Sequence, residues 1–156
     1  MRGVRRQMKP YLAFVVLSAI AGAPTARGAE SLCSSLREFV NSVKPGETRE
    51  FTFYTSWGRG FDASSEAIAA KGCSHGDYLP AQKVCDYLME HGSVEFAENN
   101  VKQALGCLSP ETRLAPTLRL RRASFSLSIG RSLVELEFYE DPAIGGMAFK
   151  VSADGY

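Results

Sequence analysis

Apolar positions along this chain switch between two periods, and the switches mark its elements. From Ser31 to Val43, Leu32, Leu36, Phe39, Val40 and Val43 recur at i, i+4, i+7, i+8 and i+11, a helical stripe that Lys44-Pro45-Gly46 ends. From Arg49 to Trp57 the period is two: Phe51, Phe53 and Trp57 share one side and Glu50, Thr52, Tyr54 and Ser56 the other, which predicts a strand with one wet face. Gly58-Arg59-Gly60 breaks that strand, and Asp62-Ala63-Ser64-Ser65-Glu66 reads as the capped start of a short helix reaching about Ala70. The helical period returns after Pro80, with Ala81, Val84, Cys85 and Leu88 at i, i+3, i+4 and i+7, and His91-Gly92 supplies a last-turn base and an αL-tolerant stop. Ser93 is the expected cap of a following helix whose Val94, Ala97, Val101, Ala104, Leu105 and Leu108 share one face before Pro110. So short a connection predicts that the two helices are antiparallel neighbours.

Beyond that pair the period stays at two. Ala123, Phe125, Leu127 and Ile129 alternate with Ser124, Ser126 and Ser128, and a second alternating run covers Leu133 to Glu140. Gly130-Arg131 between them suits a type II′ hairpin, which sets Leu127 opposite Val134, Phe125 opposite Leu136 and Ala123 opposite Phe138, all on the core side. Upstream, Leu118 and Leu120 are apolar on even numbers whereas the run from Ala123 is apolar on odd ones, so a β-bulge is expected near Arg121-Arg122. Asp141-Pro142 and Gly145-Gly146 form the next turn, Met147, Phe149 and Val151 a last strand, and Asp154-Gly155-Tyr156 either a frayed tail, the favoured reading, or a small extension of that strand. The fold class that follows is α+β, a four-stranded antiparallel sheet with three to four helices packed on one face and strand order left open.

The N-terminus changes the picture of where this fold works. Arg2, Arg5, Arg6 and Lys9 precede an apolar run from Tyr11 to Ala23 that is too short for a membrane helix and fits a signal peptide spanning residues 1–28, leaving 29–156 as one domain. Leu32 and Glu30-Ser31 ahead of Cys33 argue against a lipoprotein signal, and Arg5-Arg6 is better read as an ordinary basic leader than as a twin-arginine signal. Removing residues 1–28 takes away five Lys/Arg and no Asp/Glu, so the formal charge falls from +1 to 13 minus 17, or −4. A mildly acidic domain without a cationic stripe is a poor ligand for nucleic acid or an anionic membrane. Export also turns the four cysteines into two structural disulfides. Their spacings of 40, 12 and 22 contain no C-x₂-C pair, so neither a metal nor any other cofactor is expected. Four cysteines allow three connectivities; a helical hairpin brings Cys107 level with the loop carrying Cys73, favouring Cys73–Cys107 with Cys33–Cys85.

Chemistry-bearing residues are sparse. His91 ends a helix, where imidazolium suits the dipole, and His75 lies in a Gly-rich loop with Cys73, Asp77 and Tyr78, either as a solvated histidine or as a general base oriented by Asp77. There is no G-x-S-x-G motif and, with both bridges formed, no free thiol. Glu135 and Glu137 share a strand face as paired glycosidase carboxylates do, but alternating glutamates on an exposed strand are far more often solubilising charge. Trp57, Arg59 and Phe61 set two aromatics and an arginine among flexible glycines, the residue types that anchor protein interfaces; if Trp57 and Phe61 instead cap the core, Arg59 is merely solvated. The candidate binding residues are therefore Trp57, Arg59, Phe61, His75 and Tyr78, with none assigned a catalytic role.

The stretch VCDYLMEHGSVEFAENNVKQALGCL, Val84 to Leu108, resembles the helical segment of small exported immunity proteins that neutralise type VI secretion amidase effectors. Cys85, Tyr87-Leu88, Glu95, Ala104-Leu105 and Cys107 stand where that family carries a cysteine, a YL pair, an acidic linker, an AL pair and a closing cysteine. That family is essentially helical, whereas the C-terminal half here is β-rich, so no binding residue is carried over. The resemblance implies a class: a small periplasmic protein that acts by blocking another protein. The expected function is thus a non-enzymatic exported protein that binds a protein partner, such as a cell-wall hydrolase or a toxin. The alternatives are a small hydrolase using His75 and Asp77, and a structural envelope protein.

Overall fold

The computed structural model describes residues 31–58, 60–61 and 67–156; the expected signal peptide, Arg59 and the start of the helix expected from Asp62 fall outside them. Helix α1 (Leu32–Ser42) begins where the sequence places it, because Ser31 and Ser34 cap each other's backbone N–H at 3.2 and 3.0 Å. Two strands follow, β1 (Thr48–Trp57) and β2 (Ala69–Ser74), then helices α2 (Leu79–His91) and α3 (Glu98–Leu108), then strands β3 (Ala123–Ile129), β4 (Ser132–Asp141) and β5 (Gly146–Gly155). The strands form one antiparallel sheet in the order β2-β1-β5-β4-β3, five strands where four were expected.

β2 is the additional strand, and it replaces the end of the helix expected to reach Ala70. Ala, Lys, Gly and Ser are poor strand formers, so pairing made this strand where propensity did not. It pairs with β1 from Thr52↔Ser74 to Trp57↔Ala69, and it is tied to α2 by Lys71, whose ammonium donates to the Met89 and Glu90 carbonyls at 3.1 and 3.4 Å. The β3–β4 hairpin has the expected register, with Leu127↔Val134, Phe125↔Leu136 and Ala123↔Phe138. Gly130 adopts φ 59° at the first turn position, as a II′ turn requires. The expected bulge is absent: Leu118 closes a turn onto the Ala115 carbonyl and accepts from the Lys102 ammonium, so the parity change marks a loop entering a strand. Nor is the C-terminus frayed. Asp154 and Gly155 belong to β5, the central strand, and the Tyr156 N–H donates to the Arg131 carbonyl.

The helical layer corrects two further expectations. α2 and α3 are not a packed hairpin; α1 packs against both, and they scarcely touch each other. Ser93 does not cap α3. It ends a turn that Asn100 holds from inside the helix, its side-chain oxygen accepting the Ser93 N–H and its amide donating to the Ser93 carbonyl, both at 2.8 Å. Gly92 stops α2 at φ −62°, not in the αL region. What requires glycine there is space, since an added Cβ would collide with the Leu88 carbonyl and lie 2.7 Å from the Phe53 ring.

With α1 between α2 and α3, the disulfides are Cys33–Cys107 and Cys73–Cys85, not the expected Cys73–Cys107 and Cys33–Cys85. The first turn of α1 meets the last turn of α3, while Cys73, at the end of β2, lies against the middle of α2. Between the layers, Phe39 of α1 meets Phe51 edge-on at 5.4 Å, and Phe51 meets Phe149 of β5 in the same way at 6.1 Å. Val134, Leu136 and Phe138 extend this core across β4.

Because Cys33–Cys107 closes 74 residues and Cys73–Cys85 only 12, chain entropy ranks them. Double Cys→Ser replacement is expected to cost about 4 kcal/mol for the first and about 3 kcal/mol for the second, read as denaturant midpoints.

Candidate functional site

Two concavities lie at opposite ends of β1, and the sequence-derived candidates divide between them. The first, about 410 Å³, opens where β1 runs past the helical layer. Its walls are Thr55 and Trp57 of β1, the link between α2 and α3 with Val94 and Glu95, Glu98 at the start of α3, the approach to β3 with Leu120 and Arg121, and Phe138, Glu140 and Met147 of β4 and β5. Trp57 has the inward parity of Phe51 and Phe53, but none of the described helices covers that end of the sheet, and it stays 56% exposed while both phenylalanines are 1% exposed. It is therefore not a cap on the core. Gly146 lines the cleft where β5 comes close to β1, since a Cβ there would run into the Thr55 carbonyl.

Glu98 is a buried charged residue of this cleft, 8% exposed at the start of α3. Arg119 donates to its carboxylate at 2.8 Å and stacks over the Phe96 ring with its guanidinium carbon 5.0 Å from the centroid. Burial works against the charged form of Glu98. The Arg119 hydrogen bond, the backbone N–H at the helix start and the charges of Arg119 and Lys102 outweigh burial and hold its pKa below the ordinary carboxylate value. Glu95 and Glu140 are exposed on the rim.

The second concavity, also about 410 Å³, runs along Thr48 to Thr52 of β1 and is closed by Ser74, His75, Gly76 and Tyr78. His75 and Tyr78 bracket a tight turn, in which the Tyr78 N–H donates to the His75 carbonyl at 3.0 Å and Gly76 and Asp77 have φ 54° and 56°. Positive φ at both central positions is the type I′ geometry that glycine and aspartate tolerate. Tyr78 is committed to the scaffold: its hydroxyl donates to Ser42 Oγ at 2.7 Å, its ring meets Phe39 edge-on, and Arg49 lies over it at 4.9 Å. Among the described residues, His75 Nδ1 and Arg49 Nε are buried without a hydrogen-bond partner, and no hydrogen bond joins His75 to Asp77.

Trp57 and His75 therefore do not converge, since the five steps along β1 from Thr52, which pairs with Ser74, to Trp57 put roughly 17 Å of strand between them. Phe61 belongs to neither. It is half-buried over Gly72, where an added Cβ would lie 3.1 Å from its ring. Glu135 and Glu137 stand on the open face of β4, an interior strand, opposite Ser152 and Lys150. His91 packs on Tyr87 at 4.6 Å at the end of α2. The sequence reading missed Glu98, Glu140, Leu120 and Met147; an acidic residue after an apolar turn was the one signal that could have marked Glu98. Among the described residues there is no group of three or more His, Cys, Asp or Glu arranged to hold a metal ion, and no helix is long and apolar enough to cross a membrane. No family model, curated protein or solved structure matches the chain.

A carboxylate with a depressed folded-state pKa adds stability above its unfolded pKa and loses it as pH falls through the folded value. Glu98→Gln is accordingly expected to cost about 1 kcal/mol at neutral pH, because Arg119 is exposed and screened. The difference from the parent should vanish in acid, and a series of urea melts across pH reads it directly.

Proposed function

We propose that this chain is an exported, periplasmic, non-enzymatic protein that binds and inhibits a partner protein, in the manner of an immunity protein, and that the Trp57 cleft is its contact surface. The observation that carries this reading is Trp57 itself. It is a large aromatic left 56% exposed at the mouth of a cleft on a rigid sheet, the kind of anchor on which interface energy concentrates. Met147, Leu120 and Phe138 give the cleft an apolar floor. Glu95 and Glu140 on its rim, with an expected net charge of −4 for residues 29–156, favour a partner that presents lysine or arginine. A cation inserted beside Trp57 would meet the indole face and the rim carboxylates together. A basic cell-wall hydrolase or toxin has the required chemistry, and the resemblance of Val84 to Leu108 to exported immunity proteins supports the same class. Two disulfides suit a protein that works in an oxidising compartment.

A second reading, a small hydrolase, draws on His75, which lines the other cleft and whose buried Nδ1 has no hydrogen-bond partner among the described residues. His75 has no orienting carboxylate in place, which ranks this reading below the first.

Immobilised protein should retain a basic partner from periplasmic extract. Trp57→Ala is expected to weaken that complex roughly a hundredfold, measured by titration calorimetry, with the thermal midpoint of the free protein unchanged because Trp57 supports no core contact. His75→Ala should leave the same affinity intact; loss of a hydrolytic activity in that variant would instead establish the second reading.

A further inference from the structure

The two outer strands of a sheet carry unpaired backbone groups, and proteins usually blunt them with charge, proline or a bulge. β3 has none of these. Its sequence, Ala-Ser-Phe-Ser-Leu-Ser-Ile over residues 123–129, is uncharged and unbroken, and it is the outermost strand beyond β4. The two-residue turn makes Ile129↔Ser132 a hydrogen-bonded pair, so Leu127, Phe125 and Ala123 also direct their N–H and C=O groups to β4. Ser124, Ser126 and Ser128 direct theirs outward. Among the described residues no backbone hydrogen bond reaches β3 from that side. Phe125, Leu127 and Ile129 are only half-buried, so the core runs out to this edge without being closed there.

We infer that the edge is closed by a second copy of this chain, the two β3 strands pairing antiparallel about a twofold axis through Ser126. The argument is self-complementarity. With Ser126 opposite its own copy, Ser124 faces Ser128, Phe125 faces Leu127 and Ala123 faces Ile129, each apolar residue meeting an apolar residue on the helix side and each serine a serine on the open side. The outward N–H and C=O groups of the three serines then fall opposite one another as hydrogen-bonded pairs, completing about six ladder bonds. A one-residue slip would set serine against phenylalanine across the two faces, and a two-residue slip would leave one serine of each strand unpaired and lose two of the six ladder bonds, so the register about Ser126 pairs the most groups. Beyond the paired strands Arg121 comes opposite Arg131 of the second copy, so screening by salt should tighten the dimer. An interface of one strand pair is small, and the dissociation constant should be micromolar. This inference does not depend on the partner-binding reading, since Ser126 is not part of the Trp57 cleft.

Sedimentation velocity of the disulfide-bonded protein from micromolar to millimolar concentration tests it, with a concentration-dependent dimer expected. Ser126→Pro should raise the dissociation constant at least tenfold while keeping the β3–β4 ladder, because the lost N–H points away from β4. If the proline variant fails to fold, Ser126→Lys, which sets two like charges on the axis, should do the same. Hydrogen exchange gives the register: the Ser124, Ser126 and Ser128 amides should gain protection as concentration rises, while those of Phe125 and Leu127 are protected throughout. A chain that stays monomeric to millimolar concentration, a dimer untouched by either substitution, or serine amides whose exchange ignores concentration would each overturn the inference.

Discussion

Phe39 is the residue on which the two layers of this molecule meet. The sheet is apolar on one face only, and that face must be covered from the side where α1 lies. α1 covers it with Phe39 against Phe51, and Phe51 passes the contact to Phe149 at the centre of the sheet. All three are fully buried, each supplying about 2–3 kcal/mol of transfer free energy and an edge-to-face contact besides. α1 can do this only by lying between α2 and α3, and that position decides the disulfides. Its first turn is bridged to the end of α3, and α2, on its other side, is bridged to β2. The sulfur links thus join elements that the hydrophobic layer has already brought together.

The same arrangement leaves the two clefts at the margins of the helical layer. Helices cover β1 over Phe51 and Phe53 and stop short of Trp57, so the strand's inward face becomes the wall of an open cleft at one end. Glu98, held charged by Arg119, gives that cleft a fixed polar wall, while Glu95 and Glu140 remain free to meet a partner. At the other end β2 stops at Ser74, and the turn through Gly76 and Asp77 folds His75 and Tyr78 back over β1. Tyr78 there is structural; His75 is not engaged.

Much of the fold is legible in the chain because its strongest signals are local. The spacing of Leu32, Leu36, Phe39 and Val40, and the strict alternation from Ala123 through Glu140, each admit one reading, and both elements and the hairpin register follow from them. Non-local pairing erases that legibility. β2 has the composition of a helix end or a loop and exists because β1 and α2 hold it from both sides. β5 lies between β1 and β4, which no local pattern encodes, and Asp154 and Gly155 read as a tail because their partners are distant in sequence. The disulfides were misassigned for the same reason: a short link between α2 and α3 implies a hairpin only if nothing packs between them, and α1 does. At the cleft, the aromatic-glycine cluster marked Trp57, which stands exposed at its mouth, but Glu98 and Met147 join it only through the folding of three separate segments.

The account stands on the claim that the chain acts by contact through the end of β1, and its sole tryptophan reports on that place without any label. Emission from Trp57 should lie to the red in the free protein, as befits an indole more than half exposed, and should shift to the blue when the captured partner is added, saturating with the binding isotherm. A partner that binds at full stoichiometry while the emission stays where it was would place the contact elsewhere and contradict the account.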